Sequence, residues 1–304
     1  FRAVVYTDLL QFGLMCLAVA LVLLVAVMDL GGASYLEARL PATHLRASGN
    51  MGAQEITVWA LIALSTLVDP NFYHRCYAAG SAKVARRGVL MAIGFWALFD
   101  VCTTFGGLYA RAALGAAADP RLAYPLLAGE LLPVGLRGLF FVGLLATAMS
   151  TIDSYCFVGA MTLGHDLWRR TLRPDLSDEE LVRSTRWGIV ATAALAAALA
   201  LVFSGSFKAI WKTLGSLSTA GMLVPAALGL LTGWRPPGAG LAGMVAGALG
   251  TGGWSLARGL GIPWARRLEP LLPGIALSVG AYVIVGWWRR ALPPACPVEP
   301  EERP

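Results

Sequence analysis

Apolar stretches of roughly twenty residues recur along the whole chain, parted by short polar, proline-rich or basic segments. An α-helix needs roughly twenty apolar residues to cross about 30 Å of hydrocarbon, so the repeated pattern constrains the fold more than any single motif. Eight such spans are read: about 4–28, 55–68, 89–114, 138–164, 188–203, 209–232, one starting at 238, and 271–288. Composition agrees. The chain is 57% hydrophobic and 14% charged, with mean hydropathy +0.65, whereas a soluble domain is about half apolar and about a quarter charged. The expected fold is an all-α integral membrane protein of about eight transmembrane helices. The lipid bilayer is its first partner, and the expected location is the cell membrane, multi-pass, with the bacterial inner membrane as the specific expectation.

A formal charge of +6 suggests nucleic acid at first sight. The basic residues, however, sit in short loops beside the spans: Lys83, Arg86 and Arg87 in the loop 78–88 after the second, while Arg169, Arg170 and Arg173 close the fourth. These clusters are two crossings apart, so one orientation places both in the cytoplasm, and Arg2 and the run Trp287 to Arg290 fit it. No nucleic-acid partner is expected. Cys16, Cys76, Cys102, Cys156 and Cys296 lack CxxC spacing and read as free thiols. The three histidines lie apart, and neither HExxH nor GxSxG occurs. Enzyme chemistry is therefore not expected, and neither is an organic cofactor.

Local signals place breaks and starts. The second span is short and ends in Asp69-Pro70-Asn71. Proline lacks a backbone donor and disfavours helix at the residue before it. Either the helix breaks at membrane depth and resumes towards Arg75, or it stops at Asp69 and a loop follows. Interrupted segments of this kind point to a transporter's binding site. Ser177 and Glu180 have capping-box spacing ahead of the fifth span. In the sixth span, Gly215 to Thr219 followed by Pro225 is a second small, polar, breakable segment. Gly238-Ala239-Gly240-Leu241-Ala242-Gly243 matches GxGxxG, but no strand precedes it. Gly243 and Gly247, four apart in an apolar helix, are read instead as a close-approach face. The stretch 293–304 is expected to be a disordered tail.

The polar centre of the chain is Ala146 to Ser154, inside an apolar run. Hydroxyls and a carboxylate at membrane depth are costly unless they face an ion, a cavity or a partner helix. Sodium takes hard oxygen ligands, and one helical turn here offers the carbonyl of Thr147 and the hydroxyls of Ser150 and Thr151. The alternative is that these hydroxyls bond to carbonyls one turn earlier and only assist packing. Both readings stand at this stage. Asp153, three residues after Ser150 on the same face, either senses or balances the ion or is a polar anchor near the cytoplasmic end. Asp8 marks either an exit path or a favourable charge at a helix start, and Asp100 is a lone acid within a span.

Three blocks together resemble the sodium:solute symporter family: Ala3 to Asp8 with Gln11; Pro70 with Arg75, Ala78, Ala79, Ser81, Ala85, Arg86 and Arg87; and Ala146 to Ser154 with Asp166. The resemblance covers about residues 1–235. It implies a partial LeuT-like inverted-repeat core, in which 1–30 resembles core helix five and 54–233 the second inverted repeat, with 238–290 as two peripheral helices and 1–292 as one transmembrane domain. It also implies a sodium site at Thr147, Ser150 and Thr151, with Asp8 on the ion's path to the cytoplasm. Thr147 stands where the family usually has Ala, a harmless change if only its carbonyl binds. Thr66 falls where an aromatic residue often covers the substrate. With the interrupted segments, this gives Thr66, Asp69, Ser216 and Ser218 as candidate substrate-binding residues. The family's first four core helices have no counterpart here, so the resemblance implies that they are supplied in cis, by a longer chain, or in trans. The expected function is sodium-coupled symport of a small organic solute, with sodium as the coupling ion. The alternative is a non-transporting sensory or scaffold membrane module.

Overall fold

The computed structural model describes residues 2–116, 118–202 and 207–290; the expected tail at 293–304 and Cys296 lie outside them. The described residues form helices and connections without a strand. In chain order the helices are α1 (Arg2–Leu30), α2 (Ala33–Arg39), α3 (Ala53–Ala63), α4 (Pro70–Tyr77), α5 (Ala82–Leu114), α6 (Ala123–Leu131), α7 (Val134–Met161), α8 (Asp178–Val202), α9 (Phe207–Ser218), α10 (Val224–Leu231), α11 (Ala239–Gly259) and α12 (Leu271–Arg290). Among the described residues, seven helical stretches are long and apolar enough to cross a membrane, against the eight expected. The difference is α11. Its 21 residues reach about 31 Å at 1.5 Å per residue, but its many glycines dilute its apolar character.

Several local readings hold. Ser177 and Glu180 form the capping box: the Glu180 carboxylate accepts from the Ser177 backbone N–H at 3.1 Å, and Ser177 Oγ accepts from the Glu180 N–H at 3.3 Å. The basic segment after the second span is not all loop. Ser81 accepts from the Val84 N–H and caps α5 from Ala82 onward, so Lys83, Arg86 and Arg87 lie on its first turns. Beyond Met161 the α7 helix widens into π-helical turns over Thr162–Leu172, which carry Arg169 and Arg170.

The chain divides into two compact units, Phe1–Asn50 with His74–Val202, and Met51–Tyr73 with Phe203–Pro304. In the first unit, α1 and α7 pack closely at Gly143, where a Cβ would overlap the Ala18 side chain and stand 2.8 Å from the Leu14 carbonyl oxygen. Glycine is needed there for that approach. Ala18, Val22, Ala26, Tyr109, Leu127, Leu132 and Phe140 complete the core beside this contact. Further along, Gly159, Gly164 and Gly188 bring α7 and its extension against α8. The most apolar window of α5 buries no residue, so its hydrophobicity matches hydrocarbon contact rather than a protein core.

The second unit is built on α11 and α12, with α9 and α10 against them and α3 against α9. Gly247 faces the Ala220 carbonyl, and Gly243 faces Ser278 and Pro225, both too close for a larger residue to fit without displacement. The Gly243/Gly247 reading as a close-approach face is therefore realised. Val58, Ile62, Ala220 and Leu271 form the buried centre.

Candidate functional site

The α1–α7 contact at Gly143 decides what the polar ends of these helices meet. Ser150 lies seven residues, or about 10 Å, further along α7, which brings it opposite the first turns of α1. There Ser150 Oγ donates to Asp8 Oδ1 at 2.7 Å. The other carboxylate oxygen, Oδ2, accepts from Arg75 Nη2 at 2.8 Å, and the same nitrogen reaches Ser154 Oγ at 2.9 Å. The Asp8 side chain is 18% exposed and that of Arg75 43%. Asp8 is thus held from two sides: α7 supplies one donor, and a guanidinium that neutralises its charge supplies the other.

The neighbouring hydroxyls behave differently. Thr151 Oγ1 donates to the Thr147 carbonyl at 3.0 Å, and Thr147 Oγ1 donates to the Gly143 carbonyl at 2.9 Å. These are the one-turn back bonds of the packing alternative. The back-bonded alternative thus describes Thr147 and Thr151, while Ser150 is drawn to a carboxylate on another helix. Thr147, Ser150 and Thr151 still present a carbonyl and two hydroxyls within one turn, beside Asp8. All are hard oxygen donors, the set an alkali cation takes.

Two acids of these spans are exposed. Asp153 is exposed, and the residue that joins Ser150 at Asp8 and Arg75 is Ser154. Four residues, not three, separate the two hydroxyls that face this cluster. Asp100 is exposed as well. Arg75 was quoted only as part of a sequence block; no local signal assigned it to the polar centre, because its partner lies 67 positions away.

The candidate substrate residues Thr66, Asp69, Ser216 and Ser218 all fall in the second unit. The helix does break at Asp69-Pro70 and resume. After α3, Leu64–Val68 tightens into a 3₁₀ turn, Asp69 is extended, and α4 begins at Pro70. Asp69 serves this break directly, since its Oδ1 accepts from the Asn71 N–H at 2.8 Å as an N-cap. Tyr73 donates to the Leu67 carbonyl at 2.7 Å, satisfying one acceptor that the break exposes. The second breakable segment is also interrupted. After Ser218, Thr219–Leu223 forms a π turn before Pro225 opens α10. These two irregular turns pack against each other. Ser216 is buried and back-bonds to the Lys212 carbonyl, Ser218 and Thr66 are half-buried, and Thr219 bonds both the Gly215 and the Leu61 carbonyls at 2.8 and 3.4 Å. Thr219 is the hydroxyl that ties the two turns' helices, and it was not among the residues singled out.

A family model for the sodium:solute symporters matches residues 1–232. The chain belongs to the sodium:solute symporter family. It is 27% identical over 293 residues to the high-affinity proline transporter PutP of Bacillus subtilis (strain 168), covering 92% of this chain and 59% of that protein. It is 27% identical over 314 residues to the sodium/pantothenate symporter of Escherichia coli (strain K12), covering 97% and 62%. A human sodium/myo-inositol cotransporter 2 is 33% identical over 131 residues, 38% of this chain and 19% of that protein. The chain thus spans about three-fifths of the length of its long-matching relatives. The family match places the polar centre of α7 and the Asp69-Pro70 break of this symporter-family chain inside the matched region, and α11 and α12 beyond it.

Proposed function

We propose that this membrane protein takes part in sodium-coupled symport of a small organic solute, in a bacterial inner membrane, as the second-repeat part of a LeuT-like core. The observation that carries this reading is the Ser150–Asp8 bond, which sets a carboxylate beside a turn of α7 already offering one carbonyl and two hydroxyls. Membership of a family of sodium:solute symporters supports it.

In this mechanism sodium is cargo. It binds at the Thr147 carbonyl and the Ser150 and Thr151 hydroxyls. Thr151 turns its proton away from the Thr147 carbonyl, freeing both oxygens for the ion. Helices of the first repeat, supplied in cis or in trans, complete the ligand shell. Asp8 draws the cation toward the cytoplasmic end, and Arg75 limits how long it stays by competing for the same carboxylate. The solute binds near the 3₁₀ and π turns, where Thr66, Asp69, Ser216 and Ser218 lie. Its binding stabilises the state from which rocking of helix bundles exposes both cargoes to the other side.

The test is solute uptake driven by a sodium gradient into proteoliposomes of the full-length protein, with proline, pantothenate and myo-inositol as first probes. Uptake that collapses when Ser150 and Thr151 are both replaced by Ala supports the reading. Uptake that is unchanged by that double replacement, or equal in a potassium gradient, overturns it.

A further inference from the structure

One end of the second unit carries charge on the wrong side of the membrane. Lys208 reaches Glu55 at 3.5 Å, which sets the start of α9 beside the start of α3. Lys212 Nζ lies 3.1 Å from Glu269 Oε2, and Arg258 Nη1 lies 2.8 Å from the same oxygen. These bonds add the end of α11 and the entry to α12. Arg266 and Arg267 are exposed in the connection between those two helices. Among the described residues this end therefore holds five basic side chains against two carboxylates. With the Lys83–Arg87 and Arg169–Arg173 clusters in the cytoplasm, alternate crossings put the starts of α3, α9 and α12 and the end of α11 outside. The positive-inside bias should leave such an end poor in Lys and Arg.

Helix stapling accounts for only part of the arrangement. One cation is enough to satisfy Glu269. A second on the same carboxylate oxygen sets two positive charges within hydrogen-bond reach of one atom, and like charges so close repel. Burial alone would raise the Glu269 carboxyl, but hydrogen bonds from Arg258 and Lys212 and their charges outweigh it and hold the group below its ordinary value. Glu269 is thus a fixed anion that positions two cations and leaves one charge of excess. The Lys212 side chain is 22% exposed and that of Arg258 39%, so an incoming anion can reach both. From Lys212, the buried Ser216 follows one turn along α9, and the buried Thr219 opens the π turn just beyond it.

We propose that Lys212 and Arg258, positioned by Glu269, form an outer binding site for a small oxyanion, and that the solute carried inward bears a carboxylate. The claim about the solute rests on the symport reading above; the anion site does not. An ammonium and a guanidinium facing one ligand recognise a carboxylate by charge-assisted bonds, and such electropositive mouths also raise the local concentration of anions. A phospholipid phosphate shares this chemistry, so the source has to be separated by experiment.

The test is saturation-transfer NMR of propionate, with propionamide as its uncharged isostere, on the full-length protein in phosphatidylcholine nanodiscs. Propionate should show saturable transfer and propionamide none. Arg258→Gln or Lys212→Gln should weaken propionate binding by about tenfold or more, the worth of one charged hydrogen bond, and Lys212→Arg should restore it. Equal signals for acid and amide, or wild-type binding in both Gln variants, overturn the site. Abolition of the signal by phosphatidylglycerol in wild-type protein, with no effect of that lipid on residual binding in the Gln variants, assigns the site to lipid and overturns the solute claim. Replacing Ser150 and Thr151 by Ala should leave propionate binding intact. Propionate binding that survives in that variant while sodium-driven uptake is lost keeps the two proposals apart.

Discussion

The polar centre of α7 and the interrupted turns of the second unit both carry back-bonded hydroxyls, yet only the first also draws hydroxyls, those of Ser150 and Ser154, to charged groups on other helices. Around Asp8 the bonds run between residues 67, 79 and 142 positions apart, and most are charge-assisted. Around Ser216 and Thr219 they run back four residues to the helix's own carbonyls, with one longer bond to Leu61. A hydroxyl that bonds its own helix is neutralised locally and can release that bond without disturbing another element. One that is drawn to a carboxylate on a different helix couples the position of the two. The first unit is thus arranged around a charge, and the second around backbone that has been broken and re-satisfied.

The largest expected effect sharpens this contrast at its source. Replacing both Ser150 and Thr151 by Ala removes two of the three α7 oxygens. Sodium affinity, read from the sodium dependence of uptake, should fall by roughly a hundredfold at about 1.5 kcal/mol per charged hydrogen bond or more. Ser216→Ala, which removes only a back bond, should leave sodium dependence unchanged. A matching loss there would erase the distinction between the two regions.

Next comes the packing on which the Asp8 cluster depends. Gly143→Val places two methyl groups where α1 approaches most closely. Overpacking of this kind destabilises by about 1–3 kcal/mol, and thermal unfolding should show a lowered midpoint together with weakened sodium binding. An equally lowered midpoint with intact sodium binding would mean that the α1 contact does not set the site. The break in the second unit should be more tolerant. Asp69→Ala loses a helix N-cap and Thr219→Val a pair of hydroxyl bonds, each about 1 kcal/mol. Solute KM should rise while sodium dependence stays as it was.

Smaller again is the effect of Arg75. Its side chain is 43% exposed, so the pair with Asp8 is partly screened, and Arg75→Gln should tighten apparent sodium affinity by roughly two- to fivefold, less at high ionic strength. Weaker sodium binding in that variant would instead make Arg75 a support for Asp8 rather than its competitor. The smallest effect concerns pH. The folded-state carboxyl of Glu269 lies below its ordinary value of 4.5, so its contribution is present above the unfolded value and is lost as pH falls through the folded one. The difference in thermal midpoint between wild type and Glu269→Gln should be full at pH 7 and should close only below about pH 4.5, the unfolded value.

Much of the architecture was legible from local pattern. Apolar length gave the spans, Ser177 and Glu180 the start of α8, Pro70 the interruption, and Gly243 and Gly247 the close face of α11. Where the reading slipped, a local rule met a competing one. Lys83, Arg86 and Arg87 read as loop because they are charged, but Ser81 caps a helix that includes them. Asp153 was open between balancing the ion and anchoring the helix end, and it is exposed, while Ser154 meets Arg75. On the helix, Ser154 rather than Asp153 shares the face of Ser150 toward Asp8. The choice between ion-facing and back-bonded hydroxyls was open from spacing; in the structure Thr147 and Thr151 are back-bonded and Ser150 meets Asp8.

The sequence by itself determined that this chain is a set of membrane helices with two breakable segments, because helix length, capping and proline chemistry act over a few residues. Only the tertiary structure decided that Asp8 meets Ser150 and Arg75, that Thr219 reaches Leu61, and that Lys212 and Arg258 converge on one oxygen of Glu269. Those pairings depend on how closely whole helices approach at glycines such as Gly143 and Gly247. That approach is a property of two surfaces fitted together, and no window along one strand of sequence contains both.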